Sequence, residues 1–235
     1  MKKEQPQSLE NQLKMARPKR AEVKRVPLTP EEKEFLGDIM DKAVAAEKAG
    51  ELQKSLDLYT EYKNELLKIK ERLEKEQSLR LQQRNDLIEW AKQHEIARDC
   101  ESWVDEHFDF EEYPKIIAKK DLDLSSHVNI ETIPENIHVK GSMTIQGIIK
   151  KMPQTLTVDK NLLIQKANID TIPALLNISG DLILDDIVFI DNKISDTIFI
   201  GGNVYLNKPI HGNVMDLLNK LKGEGKIIGE IIWKN

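Results

Sequence analysis

The spacing of the apolar residues changes once along the chain. From Phe35 to Leu73 they recur at steps of three and four residues, which is the pattern of amphipathic helices. After Pro114 they alternate with polar residues, the period of two that is typical of a strand with one buried face. The pattern therefore predicts an α+β chain, with a helical hairpin or bundle first and a strand-rich region after it.

The helical part contains clear start and stop signals. The sequence TPEE at residues 29–32 allows Thr29 to cap a helix and Glu32 to complete a capping box. The first apolar stripe stops at Gly50, so we expect the next helix to pack antiparallel after a short loop. The charged residues 68–84 predict either an exposed helix or a break between helices. We assign residues 29–112 to an α-helical module of three or four helices.

A nine-residue window repeats in the strand-rich part. In each copy, apolar residues alternate with other residues around a central Gly or Lys. The copies begin at residues 116, 137, 156, 176 and 198, so that successive copies are 19 to 22 residues apart. A coil of this length cannot bury its own apolar face and must stack on its neighbours. The windows predict a β-repeat solenoid over residues 113–235.

The final part of the array has the pattern of a cap. Residues 213–222 have helical spacing, and residues 227–233 repeat the second half of the window. A helix and a strand in these places would cover the open apolar edge of the last coil. We expect Trp233 to be buried there as a core aromatic residue.

The polar positions of the windows form the candidate contact surface. Alternation turns one set of side chains inward and leaves the other set outward. A polar surface on a repeat array, without a catalytic constellation, favours binding of a protein partner. The predicted protein-binding residues are Lys140, Ser142, Thr144, Asp159, Asp181 and Asn203.

The segments IPENIHVKGSMTIQG and IPALLNISGDLILDD resemble the short leucine-rich-like repeats of uncharacterised bacterial and phage proteins. The Pro residues of that family match Pro134, Pro153 and Pro173, and its Gly residues match Gly141, Gly180 and Gly202. A looser likeness links them to LPX-type repeats of bacterial effectors, which bind proteins. Ala167 stands where standard leucine-rich repeats place an inward Asn or Cys, so a regular horseshoe and another β-solenoid both remain open.

The helical residues 43–70 also look like a tetratricopeptide unit or a microtubule-interacting-and-transport helix pair, both protein-binding folds.

The first 28 residues are basic and contain three prolines but few large apolar groups. Burial of so few apolar groups cannot offset the cost of ordering the backbone, so we predict a flexible arm. Clustered Lys and Arg can neutralise phosphates. The alternative function is therefore a nucleic-acid-associated factor acting through Arg17, Lys19, Arg20, Lys24 and Arg25.

Other candidate chemistry is sparse. His94, Cys100 and His107 lie six and seven residues apart, which is not a zinc-ligand spacing, and Cys100 is the only cysteine. The acidic residues 105–113 could hold a catalytic carboxylate pair, but a solvated junction explains them more simply. Gly201 and Gly202 lack the Lys-Ser/Thr of a phosphate-binding loop. We expect no enzymatic activity, no metal and no cofactor.

The remaining composition indicates a cytoplasmic protein without a membrane partner. No apolar stretch has the length of a signal peptide core or a membrane span, and a single cysteine gives no sign of an oxidising compartment. The charged second helix is compatible with a coiled coil and a homo-oligomer. The sequence thus predicts a non-enzymatic protein-binding or scaffolding protein that uses a β-repeat surface, tethered or oligomerised by its helical module.

Overall fold

The computed structural model describes residues 8–18, 26–126, 130–169, 173–189, 197–207 and 212–234. The chain divides into two compact units, Met1–Ser78 and Leu79–Asn235. The first unit is helical, and the second joins further helical segments to a parallel β-solenoid. The predicted α+β class, with helices followed by a β-repeat solenoid and a helix-plus-strand cap, is confirmed.

The described residues of the first unit form helices α1 (Leu9–Ala16) and α2 (Pro30–Lys48) and the first part of α3 (Leu52–Gln93). The capping box begins α2: the Glu32 backbone N–H donates to Thr29 Oγ1 at 3.2 Å, and the Thr29 N–H donates to Glu32 Oε2 at 2.9 Å. The helix ends where Gly50 adopts a φ of 77° and the Glu51 N–H reaches back to the Ala46 carbonyl. This left-handed residue reverses the chain into α3.

The two long helices of this unit pack antiparallel. Leu36 and Ile39 of α2 lie against Leu66 and Ile69 of α3 in one buried cluster. Farther along α2, the Ala43 carbonyl accepts a bond of 2.9 Å from the buried Ser55 hydroxyl. The antiparallel packing predicted from the short loop at Gly50 is therefore present.

Helix α1 lies within the segment predicted to be a flexible arm. Its Leu13 is buried in a small cluster with Ala43 and Tyr59. Lys63 also donates to the carbonyl of Met15 at 2.7 Å, near the end of the helix. The burial of Leu13 and the hydrogen bond from Lys63 thus hold this helix against the other helices of the unit. A helix with Leu13 as its buried residue leaves no apolar periodicity in the sequence.

Helix α3 runs for 42 residues without a break. Its charged stretch is therefore an exposed helix, supported by pairs one turn apart such as Glu65 with Lys68 and Arg72 with Glu76. From Leu79 onward the helix belongs to the second unit. There Leu87 and Trp90 join the buried core with Val104 of helix α4 (Cys100–His107) and the first coils of the solenoid.

The solenoid contains two sheets of six strands each among the described residues. The first sheet has the order β1-β2-β4-β6-β8-β10, and the second has the order β12-β11-β9-β7-β5-β3. All pairs are parallel except β1 with β2. The strands are β1 (Phe108–Asp109), β2 (Ile116–Ala118), β3 (Leu122–Asp123), β4 (Ile137–Val139), β5 (Met143–Ile149), β6 (Thr155–Val158), β7 (Leu162–Ile169), β8 (Leu175–Ile178), β9 (Leu182–Phe189), β10 (Thr197–Ile200), β11 (Val204–Leu206) and β12 (Ile231–Trp233).

Each nine-residue window forms a strand of the first sheet, a corner, and a strand of the second sheet. The windows stack in the register that their starting positions predict, because Ile116, Ile137, Leu156, Leu176 and Ile198 pair in sequence across the first sheet. All twenty apolar positions of the five windows are buried. A coil with two facing strands also decides the open question of shape: this is a two-sheet β-solenoid and not a horseshoe with one sheet.

The cap contains helix α5 (Gly212–Gly223) and strand β12. Leu218 and Leu221 of α5 are buried in the solenoid core, and β12 pairs with β11. The expectation for Trp233 is wrong, because its side chain is 46% exposed. Among the described residues no strand lies beyond β12, so nothing covers the outer side of this residue.

Candidate binding surface of the solenoid

A ladder of side-chain hydrogen bonds connects the coils at their corners. The side-chain oxygen at this position accepts the backbone N–H of the equivalent residue in the next coil. Asp121 accepts from Ser142 at 2.7 Å, Asn161 from Asp181 at 2.8 Å, Asp181 from Asn203 at 2.7 Å and Asn203 from Glu230 at 2.8 Å, whereas Ser142 makes a longer bond of 3.4 Å to Asn161. We call Asp121, Ser142, Asn161, Asp181 and Asn203 the corner ladder.

The corner ladder explains the glycines at the centre of the windows. A Cβ on Gly180 would meet Asn161 Oδ1 and the Lys160 carbonyl, so only glycine allows the coils to approach this closely. Gly141, Gly202 and Gly229 are in the same position relative to the coil before them. Two windows have Lys at their centre: Lys120 lies in the first coil, and Lys160 follows the coil that carries Ser142, the shortest side chain in the ladder, with its N–H bonded to the Gly141 carbonyl at 3.2 Å. The shortest side chain of the corner ladder is thus followed, in the next coil, by a window whose central residue is not glycine.

Two of the predicted contact residues lie just before the corner, at the ends of first-sheet strands. Lys140 is exposed and makes no ion pair with any described residue. Asp159 is also exposed, but its Oδ1 lies 2.8 Å from Nε2 of His138 on the neighbouring coil. Lys140 is therefore available to a partner, whereas Asp159 already contacts a side chain of the array.

Side chains in register on the outer face of the second sheet form a mainly apolar line. Thr144 pairs with Leu163, Leu163 with Ile183, Ile183 with Tyr205, and Tyr205 with Ile232. All five are partly exposed. We call these five residues the outer column. Apolar side chains on the solvent side of a sheet are unusual when the face is not covered, because such positions are normally polar.

Polar groups flank and fix the outer column. On one side Gln165 donates to Gln146 at 3.3 Å. At the other end the Asn203 amide donates to the Tyr205 hydroxyl at 3.2 Å, and the Lys234 ammonium lies 4.3 Å from the centre of the Tyr205 ring. The orientation of the Tyr205 ring is thus set by one hydrogen bond and one cation–π contact.

The six predicted contact residues do not form one surface of free side chains. Ser142, Asp181 and Asn203 bond the coils together in the corner ladder. Only Thr144 belongs to the outer column. The sequence did contain the missing information. The eighth position of the last four windows is Thr144, Leu163, Ile183 and Tyr205, mostly apolar where alternation expects a polar residue such as Asp123 of the first window.

Only part of the predicted nucleic-acid segment is described. Arg17 forms an ion pair with Glu47, which also accepts a bond of 3.2 Å from the Tyr59 hydroxyl. The hydrogen bond that Arg17 donates to Glu47 raises the pKa of the Arg17 guanidinium. The remaining candidates, Lys19, Arg20, Lys24 and Arg25, lie outside the described residues.

The acidic residues 105–113 are partly tied to basic partners within the second unit. Arg84 of α3 donates to both oxygens of Asp105, at 2.6 and 2.7 Å, and to Glu101 at 3.0 Å. Glu106 accepts from Lys120 at 3.0 Å. The hydrogen bond from Arg84 holds the pKa of Asp105 below its usual range. These carboxylates therefore fasten α4 to α3 and to the first coil.

Within the described ranges, no group of three or more His, Cys, Asp or Glu side chains is placed to hold a metal ion, and His127 and His211 lie outside those ranges. The same part of the chain has no helix with both the length and the apolar character that crossing a membrane requires.

The geometry defines the class of protein. It is a helical unit followed along the chain by a two-sheet parallel β-solenoid, in which side-chain hydrogen bonds connect neighbouring coils at one corner. Comparison of the chain with protein-family models, with curated proteins and with solved structures finds no match.

Proposed function

We propose that this chain is a non-enzymatic protein-binding or scaffolding protein whose contact surface is the outer column. The observation that carries the proposal is the alignment of Leu163, Ile183, Tyr205 and Ile232 on neighbouring strands. With strands about 4.8 Å apart, five of them make a strip roughly 20 Å long. A strip of that length matches one helix or one extended segment of a partner.

The corner ladder makes this strip suitable for binding. Hydrogen bonds at each corner restrict sliding of one coil past the next, so little conformational freedom is lost when a partner binds. Tyr205 is the expected anchor, because aromatic residues with a polar tip are enriched at the centres of interfaces. The polar residues beside the column, including Gln146 and Gln165, supply the rim.

The helical unit would tether or oligomerise the solenoid. Phe35 of α2 is 51% exposed and Leu67 of α3 is 55% exposed, so this unit also presents large apolar side chains to solvent. Leu9 and Met15 of α1 are exposed as well, but these side chains are spread over three helices, whereas the five residues of the outer column lie in register on neighbouring strands. We therefore assign the partner to the solenoid and a supporting role to the helices.

Site-specific photocrosslinking tests the assignment. A photoreactive phenylalanine analogue replaces Ile183 in one variant and Asn177, an exposed residue on the opposite sheet of the same coil, in a control variant. We expect Ile183 to give a discrete adduct with one protein and Asn177 to give none. Ile183→Lys should then weaken binding of that purified protein at least tenfold, while Asn177→Lys leaves it unchanged. No adduct from Ile183, or the same adduct from Ile183 and Asn177, would reject the outer column as the binding surface.

A further inference from the structure

The second unit contains a cleft that lies apart from the outer column. Its volume is about 550 Å³, within the range of ligand-binding clefts. One wall is a face of α3 that includes Asp86 and Trp90. The other wall is the turn at Tyr113–Pro114 with the start of the first coil and the residues that follow Pro134.

The walls combine aromatic rings with proline rings. Trp90 is held in place because its indole N–H donates to the Thr132 carbonyl at 2.8 Å. Tyr113 is 40% exposed and lines the cleft together with Pro114 and Pro134. Gln83 fixes the turn to the helix through a bond of 2.7 Å from its amide to the Pro114 carbonyl. The hydrogen bonds of Trp90 and Gln83 thus hold the walls in place, and aromatic and proline rings form part of the lining.

The charged side chains that line the cleft are both carboxylates, Asp86 and Glu135. None of the lining residues is Lys or Arg. Glu135 already accepts from the Gln154 backbone at 2.6 Å and from Lys151 at 2.9 Å, whereas Asp86 is exposed and has no hydrogen-bond or ionic partner in the described part of the chain. The buried Gln83 Oε1 likewise lacks a donor there. An occupant that brings positive charge would complement this cleft.

We propose that this cleft binds an extended, proline-containing segment of a partner protein that carries Arg or Lys. Segments in the polyproline II conformation dock into grooves lined by aromatic residues because their conformation is already ordered. The basic side chain would extend along Tyr113 and pair with Asp86 at the mouth. This proposal does not depend on the outer column, which lies on the second sheet.

Fluorescence anisotropy with synthetic peptides tests the proposal on the full chain. The probe is a fluorescein-labelled peptide of Pro-Pro-Arg repeats, and the comparison peptides are repeats of Pro-Pro-Glu and Gly-Ser-Arg. We expect saturable binding of Pro-Pro-Arg, at least tenfold weaker binding of the other two, and a loss of affinity as salt increases.

Two charge-reversal variants on the same helix complete the test. Asp86→Lys should weaken binding of the Pro-Pro-Arg peptide at least tenfold. Glu89→Lys is the matched control, because Glu89 is exposed one turn away and does not line the cleft. Both variants change an exposed side chain, and equal melting temperatures would show that they fold alike. Absence of saturable binding, equal binding of Gly-Ser-Arg, or an equal loss in Glu89→Lys would each overturn the proposal.

Discussion

Gly50 and Glu95 follow the ends of α2 and α3 in the same backbone geometry. Gly50 has a φ of 77° and Glu95 a φ of 50°, and in each case the next N–H bonds to a carbonyl five residues back at 2.9 Å. This left-handed conformation is easy for glycine and costs other residues about 1–2 kcal/mol. The end of α3 is therefore strained where the end of α2 is not.

We expect Glu95→Gly to raise the free energy of unfolding by about 0.5–1 kcal/mol, the relief of strain less the added freedom of the unfolded chain. Glu95 is exposed, so the substitution removes no buried contact. Gly50→Ala should act in the opposite direction by about 1 kcal/mol. Urea titrations followed by circular dichroism measure both, and a less stable Glu95→Gly chain would refute the strain at this cap.

The pairing of Arg84 with Asp105 predicts a pH dependence. The pKa of Asp105 is lowered in the folded chain, above all by the hydrogen bond from Arg84, relative to about 3.9 in the unfolded chain. The stabilisation is therefore complete above that unfolded pKa and is lost as pH falls through the lower, folded pKa. Because Asp105 is 51% exposed, solvent screening limits the effect to about 0.5–1 kcal/mol.

Comparison of wild type with Asp105→Asn between neutral pH and pH of about 3 tests this dependence. The variant should be less stable at neutral pH and should lose less stability on acidification. Glu111→Gln is the control, because Glu111 lies in the same acidic run and makes no ion pair among the described residues. Parallel pH curves for wild type and Asp105→Asn would contradict the prediction.

At the level of the strands and corners, stacking of the coils depends on close approach at each glycine. Gly180→Ala places a methyl group against Asn161 Oδ1 and a backbone carbonyl. We expect a loss of about 1–3 kcal/mol in unfolding free energy, as for other insertions into tightly packed sites. Thermal or urea denaturation of the purified variant provides the measurement.

Lys160→Ala is the matched control for Gly180→Ala, since Lys160 has the equivalent place in the coil before. Its ammonium lies 3.9 Å from Asp121, and both side chains are well exposed, so the pair contributes little. The change should therefore be within about 0.5 kcal/mol. If both variants were equally destabilised, the corner ladder would not be the reason for glycine.

Period-two alternation was sufficient to predict the buried positions of the five windows, because a register error would turn every side chain to the other face; it failed only at the cap, where Trp233 is exposed. It could not predict the corner ladder, since Asp181 and Asn203 resemble ordinary surface residues until the N–H groups of the next coil are placed beside them. The proposed cleft could not be predicted from the sequence either. Its residues come from three separate segments, around Trp90, Tyr113 and Pro134, which only the fold brings together.

At the scale of the whole molecule, the change of sequence period and the division into compact units fall at different places. The period changes near Pro114, where helices give way to strands. The boundary between the units lies between Ser78 and Leu79 of the chain, because the last turns of α3 and helix α4 contribute side chains to the solenoid core. Leu87, Ala91 and Val104 are almost completely buried in that core.

Two truncated chains distinguish these boundaries. A chain of residues 79–235 keeps every residue of the solenoid core, so we expect it to unfold in one cooperative transition. A chain of residues 113–235 lacks the buried side chains of Leu87, Trp90, Val104 and Phe108, each of which contributes about 1.5–3 kcal/mol when fully buried. The shorter chain should therefore be less stable by several kcal/mol, or not fold at all. Urea denaturation of both fragments, followed by circular dichroism, measures the difference; equal stability would place the helices outside the folding unit of the solenoid.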